Sequence, residues 1–561
     1  MDRNDAPATS GIGCSAICTE IIASVTRGYA RGLGALSVHM VGPHLKDVVD
    51  ALITKSLITA QEETRDYETR KFCAIALADL LENIGVSEAI SAPYSWTAAE
   101  DEKKADADDD DAELQSLGID LDVTAEKHER NRHHKPIEDE RFQFVFRTDG
   151  AESNLLYDRI MSALLLRFED YEVDRRGDVG SFVREHNLRQ TVRVLMAMSR
   201  AGLKSDGATP WLRPSWPTLV LNAILRQLSE KLDRVRRAAG QMIRVLFDSD
   251  DAAVSALRFD DDAQIRAIFA GRGGTDWSAP SEVFPLLVRA LDLPAYRRSI
   301  VEGLLQSIGC INSTMSRLTL DALEDYMNGL TESIEKGDGK SAEAKESLAQ
   351  LKRIGGDLVH SLRKRFLNPL FTVPFLKAIG ILLSDKIYFE PLRSAESDGG
   401  VDGEFAVALM GALKAECFKS TDILKLLTAI KVFVGLALFA STRETALQRL
   451  MVFMGYQYPA LRKQTATELL TAISTFGELI IADERKQNAA FDFLSENVWG
   501  GTDLERVRAQ RNELFAMFDI RPPKLKGLKN KNKKAKAKLK GSPQRKKQKT
   551  HETAAELKEA Q

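Results

Sequence analysis

Several short groupings in this chain have residue types that could do chemistry, and each needs a context that can be checked against its neighbours. Gly339-Lys340-Ser341 has the composition that ends a phosphate-cradling loop, in which backbone N–H groups and a lysine hold phosphate oxygens. That loop requires a glycine five residues before Gly339, where Ile334 stands, and a strand leading into it, so a solvated loop is the reading here. Gly32-Leu33-Gly34 fails as a dinucleotide turn, because Ser37 occupies the third glycine position and no strand precedes it; helix packing accounts for it. His128, His133 and His134 could ligate a metal, but they sit in a charged run with no fourth ligand at a metal-site spacing. Arg176-Gly177-Asp178 spells a cell-adhesion tripeptide, which we read as coincidence in a chain without a secretion signal. No Ser, His and Asp set stands out, so no catalytic, cofactor-binding or metal-ligating residue is assigned.

The densest charge pattern is Asp170-Tyr171-Glu172-Val173-Asp174-Arg175-Arg176-Gly177-Asp178-Val179-Gly180, which runs on to Arg184. Leu156, Ile160, Ala163 and Leu164 recur at helical spacing before it, and Val179, Phe182, Val183 and His186 do so after it. A charged turn between two amphipathic helices is therefore expected. Gly177 tolerates the dihedrals of a sharp turn, and Asp178 suits the free N–H groups of the following helix. For Arg175, Arg176, Asp178 and Arg184 two roles stay open: capping and ion pairing within the repeats, or direct contact with a partner.

The elements that position these residues are helical. Leu, Ala, Glu, Lys and Arg dominate, and no sustained period-2 run of Val, Ile, Thr and aromatics signals a sheet. Leu221, Ile224, Leu225 and Leu228 line one helix and Leu232, Val235, Ala239, Met242 and Leu246 the next, with Asp233-Arg234-Val235-Arg236 at the junction. An Asp-x-Val-Arg opening to a second helix is the HEAT-repeat pattern, and Tyr458-Pro459-Ala460-Leu461-Arg462-Lys463 repeats it more loosely. The fold class expected is all-α, a HEAT/armadillo-type solenoid whose units bury their apolar faces against their neighbours and offer a long protein-binding surface.

Along the 561 residues this gives helical repeats over 14–96, an acidic disordered insertion over 97–140, HEAT-like repeats over 141–330, a further helical region over 331–523 and a lysine-rich disordered tail over 524–561. The insertion holds nine acids between Glu100 and Glu113, too little apolar surface to offset the entropy of ordering it. Gly329 to Glu346 and Ser394 to Gly403 read as loops, and three more amphipathic helices follow Asp422 before Pro522-Pro523 stops the last. Trp277 to Phe284, beside Pro280 and Pro285, reads as a packed loop.

Charge narrows the function classes. The net charge is −3, yet Arg521 to Lys549 holds 14 Lys and Arg and no acid, and Thr550 to Gln561 carries −2. Removing that tail leaves −15 on residues 1–520. A body near −15 repels phosphate, and the tail lysines have no interleaved aromatics to stack bases, which argues against nucleic acid as the main partner. The tail has three readings: a solubilising extension, a nuclear address around Arg545-Lys546-Lys547, or a weak polyanion contact. Without about 18 consecutive uncharged apolar residues no membrane contact is expected. Five scattered cysteines without a CxxC pair suit buried thiols in a reducing compartment, which points to the cytoplasm.

The charged stretch also resembles a segment of the tubulin-folding cofactor D family, HEAT-repeat chaperones of tubulin assembly. Arg27-Gly28-Tyr29 with Leu33-Gly34-Ala35-Leu36, Ser229-Glu230-Lys231-x-Asp233-Arg234, Asp276-Trp277-Ser278-Ala279-Pro280-Ser281-x-x-Phe284-Pro285, Leu293-Pro294-x-Tyr296-Arg297 and Val507-Arg508-x-Gln510-Arg511-Asn512 resemble that family in its own order. The likeness covers the C-terminal half of the family's longer chain; the acidic insertion and lysine-rich tail depart from it. The resemblance implies a non-enzymatic chaperone that takes up β-tubulin and joins cofactors E and C around the α/β-tubulin heterodimer. It also implies a share in stimulating tubulin GTP hydrolysis as part of that complex, an Arf-like small GTPase as a further partner, and a cytoplasmic, microtubule-associated location. It marks Asp170, Asp174, Arg175, Arg176, Gly177, Asp178 and Arg184 as a family motif. The alternative, suggested by the tail alone, is a HEAT scaffold for a nuclear or ribosome-assembly RNA particle.

Overall fold

A computed structural model of the chain describes residues 25–37, 40, 44–56, 66–84, 156–204, 212, 214–336, 341–384, 386–397 and 404–522. The chain divides into two compact units, Met1–Thr97 with His133–Ile520, and Ala98–Arg132 with Arg521–Gln561. The second falls almost wholly outside the described residues, as do the expected acidic insertion over 97–140, the tail over 524–561 and the three histidines.

The first unit is an all-α helical-repeat fold. A helix over residues 25–34 precedes α1 (Leu45–Ser56) and α2 (Tyr67–Ile84). Then come α3 (Leu156–Leu166), a two-stranded hairpin of β1 (Val173–Asp174) and β2 (Gly177–Asp178), and α4 (Gly180–Lys204). The pair α5 (Ser215–Leu228) and α6 (Asp233–Phe247) is followed by two short helices, α7 (Ala252–Ser255) and α8 (Asp262–Phe269). Next are α9 (Pro280–Arg289), α10 (Pro294–Ile308), α11 (Ser313–Lys336), α12 (Ala342–Lys364), α13 (Pro369–Ser384), α14 (Lys386–Ser397) and α15 (Glu404–Cys417). The last five are α16 (Ile423–Leu436), α17 (Arg443–Met454), α18 (Pro459–Ile480), α19 (Glu484–Glu496) and α20 (Leu504–Met517).

The pattern of α6 shows why these segments are helices and why they stack. Val235, Ala239, Ile243 and Leu246 fall on one face and are buried, while Arg237, Gln241 and Arg244 face solvent. Each unit exposes an apolar flank that only the next can cover. Accordingly α5 packs on α10, α10 on α13, α13 on α16 and α16 on α18, and α2, α4 and α6 form a neighbouring row. The result is one apolar core shared along the array, from Ala30 to Ile520.

The structure corrects four expectations. Gly329 to Glu346 is not a single loop: α11 runs through Gly329 to Lys336 and α12 restarts at Ala342. Leu330 and Ile334 pack on the core and Lys336 pairs with Glu332 at 2.8 Å, which together hold the polar turn helical. The break is confined to the residues around Ser341, whose hydroxyl accepts from Ala344 N at 3.0 Å and caps α12. Likewise α14 extends to Ser397, into the expected Ser394–Gly403 loop. Among the described residues five helices follow Asp422 rather than three. Asp422, Asp483 and Asp503 each cap a new helix by accepting a backbone N–H, so one long amphipathic signal is cut by short turns. Trp277 and Phe284 are buried as expected, but Pro280 opens α9, so Phe284 packs from a helix. The Gly32–Gly34 stretch closes the first helix, with Asn83 donating to Gly34 O at 2.8 Å.

Candidate partner-binding surface around the charged turn

The turn after α3 is built from its own sequence. A 3-10 turn, Arg167–Glu169, leads to the hairpin, in which Val173 pairs with Asp178 and Asp174 with Gly177, leaving Arg175 and Arg176 at the tip. Gly177 sits at φ +102°, a conformation that residues with a Cβ resist. Asp174 accepts from Arg176 N at 2.7 Å and from the Arg176 guanidinium at 2.6 Å, which closes the tip. Asp178 accepts from Ser181 N at 3.0 Å and so caps α4, as its type and position predict.

Two residues of the motif turn inward. Arg184, fully buried, donates Nε–H to Gln227 Oε1 at 3.1 Å, and its terminal nitrogens reach Asp170 O at 2.6 Å, Asp178 Oδ2 at 2.9 Å and Glu230 Oε1 at 3.0 Å. Its guanidinium also lies 3.8 Å from the centre of the Tyr171 ring. Burial by itself would lower the Arg184 pKa, but Glu230, Tyr171 and Asp178 outweigh it and raise the value. Asp170, also buried, accepts from Arg70 Nε at 2.7 Å, joining α2 to the turn. Asp170, Asp178 and Arg184 are thus engaged inside the fold. Asp174, Arg175 and Arg176 remain at the surface.

The same inward Arg geometry recurs along the array. Arg236 in the first turn of α6 donates to Glu230 O, six residues back, at 2.6 Å and forward to Ser278 O at 2.5 Å. Arg462 in the first turn of α18 donates to Tyr456 O, also six residues back, at 2.7 Å and forward to Trp499 O at 2.8 Å. Arg70 and Arg297 occupy the equivalent place on α2 and α10 and reach forward to Asp170 and Asp357, each at 2.7 Å. The repeated Arg is therefore a tie from the start of one helix to a later unit, to its loop for Arg70, Arg236 and Arg462 and to the middle of α12 for Arg297. A single turn of helix places the side chain there, which explains why the spacing was visible in the sequence.

Behind the turn lies a charge cluster that no local pattern announces. Glu169 meets Arg226 of α5 at 2.5 Å and Arg365, just after α12, at 2.5 Å. Glu302 of α10 meets Arg226 at 3.1 Å, Lys364 at 3.2 Å and Arg365 Nε at 2.7 Å. Burial pushes both carboxyls up, but Arg226, Arg365 and Lys364 override it and hold them well below the usual carboxylate range. Tyr171 caps the cluster, edge-on to Phe371 at 4.8 Å, while Arg365 lies 4.1 Å over Phe371. Two acids against three bases leave the cluster with one excess positive charge, beside a cavity of ≈ 50 Å³ that Glu169, Arg226, Glu302 and Lys364 help to line. It fastens the turn to three later helices.

On the outer side, Arg176 lies 5.0 Å over Tyr67, Tyr67 stands 5.3 Å from Phe182, and Arg234 lies 4.0 Å over Phe182. This strip joins α2, the hairpin, α4 and α6. It borders a cleft of ≈ 280 Å³ between α4 and α6, lined by Glu185, His186, Arg189, Arg234 and Arg237 among others. Among the described residues there is no group of three or more His, Cys, Asp or Glu placed to hold a metal, and no helix long and apolar enough to cross a membrane.

Residues 218–425 match the family model described as the tubulin folding cofactor D C-terminal region. The chain carries a cofactor D-type C-terminal region. The tubulin-specific chaperone D of Dictyostelium discoideum is 19% identical over 339 residues, which cover 57% of this chain and 22% of that protein. The cofactor D-type region runs from α5 into α16 and includes Arg226, Glu230, Glu302 and Arg365. The charged turn precedes it in sequence, and the two are joined through Glu169 and Arg184.

Proposed function

We propose that this chain is a non-enzymatic chaperone module that binds β-tubulin and acts with cofactors E and C in assembling the α/β-tubulin heterodimer. The observation that carries this reading is the cofactor D-type match, set on a helical array tied together by buried ion pairs such as Arg184–Glu230 and Arg365–Glu302. On this reading any stimulation of tubulin GTP hydrolysis belongs to the complex with the other cofactors. An Arf-like small GTPase is a further partner and the cytoplasm the working compartment, close to microtubules. The whole relative is far longer than the matched segment, so the module's own share of these activities is what the experiment must find.

The test is affinity capture of the tagged chain from a cell extract, probed for β-tubulin and cofactor E, alongside a variant lacking residues 524–561. Retention of β-tubulin by both forms supports the reading. Loss of tubulin together with capture of RNA particles only by the form that keeps the tail would favour the RNA-scaffold alternative.

A further inference from the structure

We propose that the cleft between α4 and α6 is a docking site for a carboxylate-rich segment of a protein partner. This inference does not depend on the partner being tubulin. Three observations lead to it.

First, the cleft is a local positive site on an acidic body. Arg189, Arg234 and Arg237 face Glu185 alone among the carboxylates of its lining, while the unit that contains them, residues 1–97 and 133–520, carries a net −7. Second, the arginines are divided in use. Arg234 is spent on Glu185, and farther along α4 Arg193 is held by Asp79 at 2.9 Å and Glu82 at 2.5 Å. Arg189 and Arg237, both exposed, form no close ion pair with another described residue, Arg237 meeting only the longer-range field of Asp276, and Arg244, two turns beyond Arg237 on the same face of α6, likewise has no close pair. This contrasts with the buried arginines Arg70, Arg184, Arg226, Arg297 and Arg365, which are all neutralised by carboxylates. Third, the border is fixed. The Arg176–Tyr67–Phe182–Arg234 strip holds its side chains in one stacked arrangement, which lowers the entropy lost on binding.

The chemistry selects the occupant. Guanidinium groups pair with carboxylates through two parallel N–H···O bonds, so free arginines along neighbouring helices suit side-chain acids spaced along an extended segment. A single-stranded nucleic acid would need open ring faces for its bases, and Phe182 and Tyr67 already carry Arg234, Arg176 and each other. Repulsion from the acidic body would also work against a long phosphate backbone and tolerate a short acidic segment seated in the cleft. A cleft of ≈ 280 Å³ with this many charges is small and polar for an engulfed organic ligand, which usually occupies about 300–1,000 Å³ of mostly apolar pocket.

The experiment titrates a fluorescein-labelled Glu-rich peptide with the full chain at low salt and follows anisotropy. The charge reversal R189E/R237E should weaken binding roughly tenfold, the sum of two exposed ion pairs turned repulsive. The control R317E, an exposed arginine on α11, should change it less than about twofold. Circular dichroism and urea midpoints confirm that all forms are folded. A photo-crosslinking version of the peptide should label α4 and α6. Equal affinity for wild type and R189E/R237E, or labelling confined to the lysine-rich tail, would overturn the proposal. Displacement of the peptide by an RNA oligonucleotide or by inorganic phosphate at lower concentration than by unlabelled peptide would also overturn it, in favour of a nucleic-acid or free-anion site.

Discussion

Replacing Arg184 with methionine removes the tie between the charged turn and α5 while keeping most of the side-chain volume. Glu230, whose side chain is 3% exposed, then loses the Arg184 contact at 3.0 Å, and Asp170 O and Gln227 lose donors at 2.6 and 3.1 Å. Breaking one side of a buried ion pair costs about 3–5 kcal/mol, because the remaining charge stays desolvated. Part of Asp178 reaches solvent, so its share is at the low end of that range. A loss of about 3–4 kcal/mol is therefore expected, read as a lower urea midpoint for the transition that reports this part of the array. The conservative R184K should recover less than half, since an ammonium group cannot reach four acceptors in one plane. In R184M/E230Q the destabilisation should shrink relative to R184M, because the uncompensated buried charge is gone. A cost for R184M below about 1 kcal/mol, the value of an exposed pair, would refute the claim that this motif residue is an internal tie.

Other consequences follow from the same packing. Glu169 and Glu302 have folded pKa values held below their unfolded ones, so their stabilisation is present above an unfolded value of about 4.3 and is lost as pH falls through the folded values. Urea midpoints taken from neutral to acid pH should fall below that point, with a shallower fall in E302Q. Burial pushes the thiols of Cys73 and Cys417 up to about 12, so iodoacetamide at mildly alkaline pH should leave both unlabelled in the native chain and label them in urea, by peptide mapping. A Cβ at Gly240 would stand 2.2 Å from Trp277 Cγ, so Gly240→Ala should cost about 1–3 kcal/mol in urea unfolding through displacement of the indole.

Much of the fold was legible in the sequence because its determinants are local. Helical periodicity located α5 and α6, and Asp178 could be read as a cap because the N–H it serves is three residues away. The inward arginines were visible as a repeated opening for the same reason. Their forward partners were not, since Arg184 meets Glu230 across 46 residues, Arg226 meets Glu169 across 57 and Arg365 meets Glu302 across 63. Such pairs are set by which helices stack, and nothing in the flanking residues of Glu302 distinguishes a buried acid from a surface one. The polar run from Gly329 looked like a loop because glycine and charge mark loops and exposed helix faces alike. Leu330 and Ile334, four residues apart and packed inward, were the signal for helix. The α4–α6 cleft escaped for another reason: Arg189 and Arg237 lie on different helices, and only the packing of repeats makes them neighbours.

We propose that the cofactor D-type region of this chain binds tubulin. The most direct measurement is sedimentation velocity of the purified chain mixed with purified tubulin at micromolar concentration. A tubulin-binding module should give a faster-sedimenting species containing both proteins, retained when residues 524–561 are removed. Two independently sedimenting components, with the chain shown to be folded, would contradict it.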